Sequence, residues 1–232
     1  MVHTLDYGVL STISTRTDIF NDDDDETLPS SSSPPVIPFG NVYSFVDGPC
    51  NKSTGIPYLY GSSMDQSMKD VTSNNVVSLT LTEASSSRDG SKNSCVVQQG
   101  GWGDPEMPTC ARVVITGKLV RVDPNNNEEE EEMEFEMAQT SLFQRHPSMS
   151  YWPDDHDWFV SKIVISDMWL LDMFGGASIL DVDRYFSIDL GLVDVVDVDV
   201  VVKEEQEKSR MMMMMKRHLA EQTKMTVNLH GF

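Results

Sequence analysis

The stretch SLFQRHPSMSYWPDDHDWFVSKIVISDMWLLDMFGG, residues 141–176, holds three of the four tryptophans and the longest apolar-rich run of the chain. Aromatic side chains at this density bury much apolar surface, so we expect the stretch to pack in the core or in an interface. The pattern predicts a short helix, Ser141–Arg145, ended by Pro147, and two strands, Trp158–Ile165 and Met168–Phe174, closed by two glycines. It contains no recognisable catalytic machinery.

Upstream of this stretch the chain alternates short apolar runs with turn residues, which is typical of β-rich folds. Helical spacing occurs in Ser62–Asn74 and Glu134–Phe143. Downstream of the opening stretch, residues 181–188 predict a short helix or strand that ends the domain. Six or seven strands joined by turns favour an antiparallel β-barrel or sandwich. The predicted upstream strands are Gly8–Thr15, Phe39–Val46, Ile56–Tyr60, Val76–Thr82 and Ala111–Val122, the last with a bend at Gly117.

Two low-complexity insertions and a tail interrupt or follow the predicted domain, which spans residues 1–189. The insertions, 17–35 and 123–133, each carry a run of five acidic residues, so half of the net charge of −20 lies in them. Such runs are usually solvated. Residues 190–232, with Val/Asp alternation and five consecutive methionines, predict a weakly structured tail.

The charge and hydropathy of the chain exclude several classes of function. A net charge of −20 disfavours binding to nucleic acid, which requires clustered Lys and Arg. No apolar run reaches the roughly 18 residues that a membrane span requires. Residues 1–8 lack a basic segment followed by an apolar one, so no signal peptide is visible, and the early strand pattern indicates an incomplete N-terminus.

Four isolated features could carry chemistry, and each has a simpler structural interpretation. His146 follows the predicted helix and precedes Pro147. We expect it to be a hydrogen-bonded histidine at the helix end and not a general base. Residues 154–157 (DDHD) follow Pro153 and indicate a turn or the start of a helix, and we expect no metal there. The glycine-rich residues 100–103 predict a surface loop. Asn51-Lys52-Ser53 is an N-glycosylation sequon in a turn, and three cysteines allow either one disulfide or three thiols.

Five segments together resemble the CREG family of secreted glycoproteins. The resemblance extends from about Leu5 to about Ile188, outside the acidic insertions, and is most specific in the opening stretch. The segments are GVLSTIST (8–15), PFGNVYSFVDG (38–48), TGIPYLY (54–60), SLFQRHPSM (141–149) and WPDDHDWFVSKIVISDMWLLDMFGG (152–176).

The resemblance implies a six-stranded antiparallel split barrel, the FMN-binding fold of pyridoxamine 5'-phosphate oxidases, and a homodimer built across the barrel face. It also implies a disulfide between Cys95 and Cys110, with Cys50 a free thiol, and a glycan on Asn51. Both features fit an extracellular or endolysosomal protein.

The flavin site is where the sequence departs from flavin-dependent relatives of this fold. The region after the third strand, residues 62–70 (SSMDQSMKD), lacks the expected histidine, and Asp65 and Asp70 would repel a phosphate. We therefore expect a non-enzymatic glycoprotein that binds no cofactor and works through protein contacts. The alternative is an FMN-dependent oxidoreductase in which Ser62, Ser63 and Lys69 contact the phosphate and the flavin, not a catalytic side chain, carries the reaction.

Overall fold

Seven antiparallel strands form one sheet that closes on itself. The computed structural model describes residues 1–16, 36–85, 95, 103–124, 129–173 and 176–188. The strand order is β3-β2-β1-β4-β5-β6-β7, and β3 also pairs with β6. This closure confirms the predicted six-stranded antiparallel barrel, to which β7 adds an edge. The strands are β1 Tyr7–Ile13, β2 Pro38–Val46, β3 Tyr58–Ser62, β4 Val76–Thr82, β5 Arg112–Arg121, β6 Trp158–Leu171 and β7 Ala177–Leu180.

Alternating side chains fill the barrel. In β4 the odd-numbered Val77, Leu79 and Leu81 are buried, while their even-numbered neighbours are partly or fully exposed. This period of two is what a strand with one face toward a core requires. The same face of the other strands supplies Leu10, Phe45, Leu59, Ile115, Ile163 and Met168.

The two strands predicted within the opening stretch are in fact one. The register shifts by one residue where Thr116 pairs with Asp167 but Gly117 pairs with Ile165. Ser166 is therefore the extra residue of a bulge, and the strand bends there instead of ending. The predicted bend at Gly117 is confirmed at this point. A Cβ at Gly117 would lie 2.2 Å from the carbonyl oxygen of Val164, so only glycine permits the close approach.

The described residues form three α-helices beside the barrel: α1 Gln66–Ser73, α2 Glu129–Arg145 and α3 Val182–Phe186. The single helix α2 replaces the two predicted segments, Glu134–Phe143 and Ser141–Arg145. It also takes in Glu129–Glu132, which we had placed in a solvated insertion. Glutamate is a good helix former and stabilises the positive end of the helix dipole, so this acidic run begins the helix.

Helix α2 packs on the outside of the barrel over a second apolar cluster. Ala138 and Leu142 of the helix are fully buried there, against Tyr58 and Val160 of the barrel. Glu134 anchors the helix because one carboxylate oxygen accepts from the Tyr58 hydroxyl at 2.8 Å and the other pairs with the Lys162 ammonium. No helix among the described residues is both long and apolar enough to cross a membrane.

The structure pairs Cys95 with Cys110 in a disulfide, with Cα atoms 4.9 Å apart. This is the pair that the family resemblance implies. Cys50 is an exposed free cysteine. Several sequence predictions lie outside the described residues: insertion 17–35, residues 100–102 of the glycine-rich run, Phe174 and the tail from residue 190 onward.

Candidate functional site

A cleft opens where β2 and β3 diverge. Only two residue pairs join these strands, Phe45 with Leu59 and Val46 with Tyr58. Beyond them β3 continues to pair with β6 while β2 follows β1. The resulting cleft has a volume of about 480 Å³, which falls in the range of small-ligand sites. Its walls come from β2 (Asn41–Ser44), the end of β3 and the turn after it (Tyr60–Ser62, Met64, Asp65), and the segment that leads into β6 with the first residue of that strand (Met149, Trp152, His156, Trp158).

One wall of the cleft is aromatic. The ring of Tyr60 stacks on Trp158 with centroids 5.3 Å apart, and Trp152 lies 4.6 Å from Trp158. The His156 ring lies beside Trp158 at 5.8 Å. The indole N–H of Trp158 donates to the Pro153 carbonyl at 2.7 Å, which fixes its ring. Rings held in this way offer a rigid apolar surface at low entropic cost.

The opposite end of the cleft is acidic. The Asp65 carboxylate caps α1 by accepting the Ser67 N–H at 2.8 Å. It also accepts hydrogen bonds from the Tyr43 hydroxyl and the Asn41 amide. Burial, together with the bond to Asp65, raises the pKa of the Tyr43 phenol, which therefore stays a neutral donor.

No lysine or arginine is among the described residues that line the cleft. Its charged lining group is Asp65, and Asp154 lies close enough to act on Tyr60. Burial raises the pKa of the Tyr60 phenol, and the negative charge of Asp154 raises it further. The cleft therefore has a negative potential and an apolar wall.

The structure separates the three residues expected to contact a flavin phosphate. Ser62 lines the cleft, but its hydroxyl donates to the His156 carbonyl. Ser63 and Lys69 are exposed and lie outside the cleft lining. Asp70, expected to repel a phosphate there, is instead buried beneath α1 and bound to Thr12 and Thr15.

Sequence reasoning missed much of the cleft. Asn41, Tyr43 and Met149 come from distant segments, and no local pattern connects them with Ser62. Trp152 stands out by its residue type, yet its position beside Tyr60 depends on how the barrel closes. His146 lies just after α2 with its Nε2 3.2 Å from the Phe45 carbonyl oxygen, as a helix-end histidine would.

The sequon lies in a separate loop that is tied to the N-terminal segment. Asp47 is fully buried and accepts a hydrogen bond from the Ser53 hydroxyl, while His3 Nδ1 lies 2.8 Å from its other oxygen. Asn51 is partly exposed between the exposed Cys50 and Lys52. The acceptor asparagine is therefore at the surface while the loop around it is fixed.

Comparisons with known proteins agree on one family. Residues 1–187 match the family model described as "CREG, beta-barrel". The chain is similar to Protein CREG1 of Mus musculus, with 32% identity over 190 residues that cover 82% of this chain and 72% of the mouse protein. It is similar to Protein CREG2 of Homo sapiens, with 34% identity over 81% of this chain and 53% of the human protein.

A solved structure with a similar fold is the heme-binding protein from Mycobacterium smegmatis. The TM-score is 0.51 and the identity 14%, over 79% of this chain and 56% of that protein. An identity this low shows the shared barrel fold alone.

Proposed function

Because the chain belongs to the CREG β-barrel family, we propose that it is a non-enzymatic, homodimeric glycoprotein of the secretory or endolysosomal route that acts through protein contacts. The observation that carries this proposal is the acidic lining of the cleft. In the barrel fold this cleft corresponds to the region after the third strand, where flavin-dependent relatives hold the phosphate.

The residues of the cleft do not suit a flavin phosphate. A phosphate requires cationic side chains or free backbone N–H donors at a helix N-terminus. Here the N-terminus of α1 is occupied by the Asp65 carboxylate, and the cleft is lined by no lysine or arginine of the described residues. A phosphate dianion beside Asp65 would be repelled. These contacts support a barrel that binds no flavin.

A visible spectrum and a titration test this proposal. The purified protein should be colourless, and added FMN should keep its full fluorescence at micromolar protein. A Lys69→Ala variant should behave identically, because Lys69 is exposed and lies outside the cleft. Absorbance near 450 nm with about one flavin per subunit would overturn the proposal and support the oxidoreductase instead.

The disulfide and the sequon support the secretory part of the proposal. A bond between Cys95 and Cys110 is stable in an oxidising compartment. Asn51 is partly exposed in its turn, as a glycan requires. On protein secreted from a eukaryotic host, Asn51→Gln should remove the mass of one glycan and leave the Ser53–Asp47 hydrogen bond in place.

An apolar row across the outside of the barrel supports the homodimer. The strand registers align Val42, Val9, Thr80, Val114, Trp169 and Ile179 side by side. Val9 is 41% exposed, Val42 63% and Ile179 66%. The other three residues, Thr80, Val114 and Trp169, are partly exposed, and five of the six are apolar. A largely apolar row of this kind is typical of a surface that a second subunit covers. We propose that two copies meet on this face.

We expect Val9→Lys, in the middle of this row, to weaken dimerisation at least about tenfold, because the interface would bury an unpaired charge. Sedimentation equilibrium measures the dissociation constant. Val36→Lys is the control, since Val36 is 73% exposed and precedes β2 outside the row. A monomeric wild type, or equal effects of the two variants, would contradict the proposed interface.

A further inference from the structure

The edge of β2 beside the cleft has backbone groups that pair with no strand of the described residues. The Phe45 N–H donates to the Asp6 carbonyl at 3.1 Å, which shows that Phe45 directs its N–H toward β1. The register with β1 is regular from Pro38 to Ser44. Directions alternate along an antiparallel strand, so Gly40 and Val42 direct their N–H and C=O groups away from β1.

No strand among the described residues covers this edge. The pairing of β2 with β3 stops at Phe45, and the remaining part of β3, Tyr60–Ser62, pairs only with β6. Gly40 and Val42 are both exposed residues. Open strand edges of this kind are templates for pairing with another chain.

We propose that the cleft binds an extended peptide, which adds to β2 as a strand and carries lysine or arginine side chains. The inference rests on the proposed function, since it names the kind of protein contact that the barrel makes. The backbone of the peptide would pair with Gly40 and Val42, in the recognition mode known as β-strand addition.

The side chains around the cleft set the chemistry of this peptide. Successive residues of a strand point to opposite sides, so every second side chain would face the aromatic wall of Tyr60 and Trp158. That wall accepts apolar side chains and the stems of basic ones. The carboxylates at Asp65 and Asp154 favour a cation and disfavour an acidic peptide.

A library of random linear peptides, displayed on phage and selected on the full-length protein, tests this proposal. Enriched sequences should alternate apolar residues with others and include lysine or arginine. Synthetic copies should bind with an affinity that falls as salt rises. Two N-methylated copies are made of each peptide, one methylated at the odd-numbered and one at the even-numbered backbone nitrogens. One of the two copies should bind at least about tenfold more weakly than the parent, because only one of these sets of N–H groups faces β2.

A pair of substitutions separates backbone pairing from side-chain contact. Val42→Pro removes the N–H that faces the cleft, and proline is tolerated at such an edge because the bonds to β1 do not involve this residue. Val42 also belongs to the row proposed for dimerisation, so the two variants are compared at the same oligomeric state. We expect Val42→Pro to weaken peptide binding about tenfold, whereas the matched control Val42→Ala should bind nearly as well as the wild type.

The proposal is overturned if the selection enriches no peptide or if the enriched peptides are acidic. It is also overturned if both N-methylated copies bind as tightly as their parent peptide. Should Val42→Pro fail to fold, the N-methylated copies decide alone. FMN titration is independent of these results. If the protein binds neither FMN nor the peptides, only this inference is overturned. If it binds FMN, the proposed function is overturned.

Discussion

Replacing Asp70 by alanine should destabilise the protein by about 4 kcal/mol, because it removes the acceptor at the centre of a buried hydrogen-bond network. The side chain is fully buried where α1 packs on β1. Its carboxylate accepts four hydrogen bonds at 2.7–2.8 Å, from the Thr12 hydroxyl, the Thr15 N–H and hydroxyl, and the Gln66 amide. Without the carboxylate, the buried donors among these groups lose their partner.

Urea unfolding followed by circular dichroism measures this loss. The control is Lys69→Ala on the same helix, which changes an exposed side chain and should shift stability by no more than about 0.5 kcal/mol. Asp70→Asn keeps the shape but turns an amide toward hydroxyl donors, so it should fall between the two. Equal stability of Asp70→Ala and Lys69→Ala would show that the network contributes nothing.

The same network makes stability depend on pH. Burial alone would raise the pKa of the Asp70 carboxyl, but hydrogen bonds from Thr15, Thr12 and Gln66 outweigh burial and hold the pKa below its ordinary value. A lowered native pKa means that the stabilisation is present above the pKa of the unfolded chain. It is lost as pH falls through the native pKa. Asp70 therefore stays ionised at the mildly acid pH of an endolysosomal compartment.

Removal of the disulfide by the double substitution Cys95→Ala and Cys110→Ala should cost about 3 kcal/mol. The two cysteines are 15 residues apart in sequence, and closing a loop of that length restricts the unfolded chain by about this free energy. Thermal unfolding of the wild type should shift to lower temperature in dithiothreitol.

Cys50→Ala is the matched control, because Cys50 is exposed and forms no disulfide. It should unfold like the wild type and respond to dithiothreitol in the same way, while the double variant should not respond. A wild type that is insensitive to the reductant would mean that the bond does not form in solution or does not stabilise the fold.

Much of the barrel follows from local pattern. The strand β4 was predicted at its observed bounds, Val76–Thr82, because alternation with β-branched residues is unambiguous over seven residues. Gly117 was predicted to bend its strand, and it does. The strand depends on the alternation of neighbouring residues in sequence. The bend depends on glycine, which lacks a Cβ and so permits a close backbone approach.

Predictions failed where a distant contact decides the structure. The pattern predicts two strands, Trp158–Ile165 and Met168–Phe174, with a break between them. Pairing with β5 instead carries the strand through a one-residue bulge. The acidic run at the start of α2 is predicted as a solvated loop, but it is helical in the structure. Glu134, two residues beyond the run, is held by Tyr58 and Lys162 of the barrel.

The sequence by itself determined the antiparallel β-rich class and the resemblance to the family, because these depend on residue types and spacings that can be read along the chain. The choice of barrel over sandwich and the pairing of Cys95 with Cys110 were implied by that resemblance. Only the tertiary structure decided which residues line the cleft. Asn41, Asp65 and Trp158 lie far apart in sequence and meet because β2 leaves β3 after two residue pairs. Strand pairing over such separations leaves no periodic signal. The sequence predicted the acidic Asp65 in the region after the third strand, but neither its hydrogen bonds to Tyr43 and Asn41 nor the open edge of β2 could be predicted before the barrel was closed.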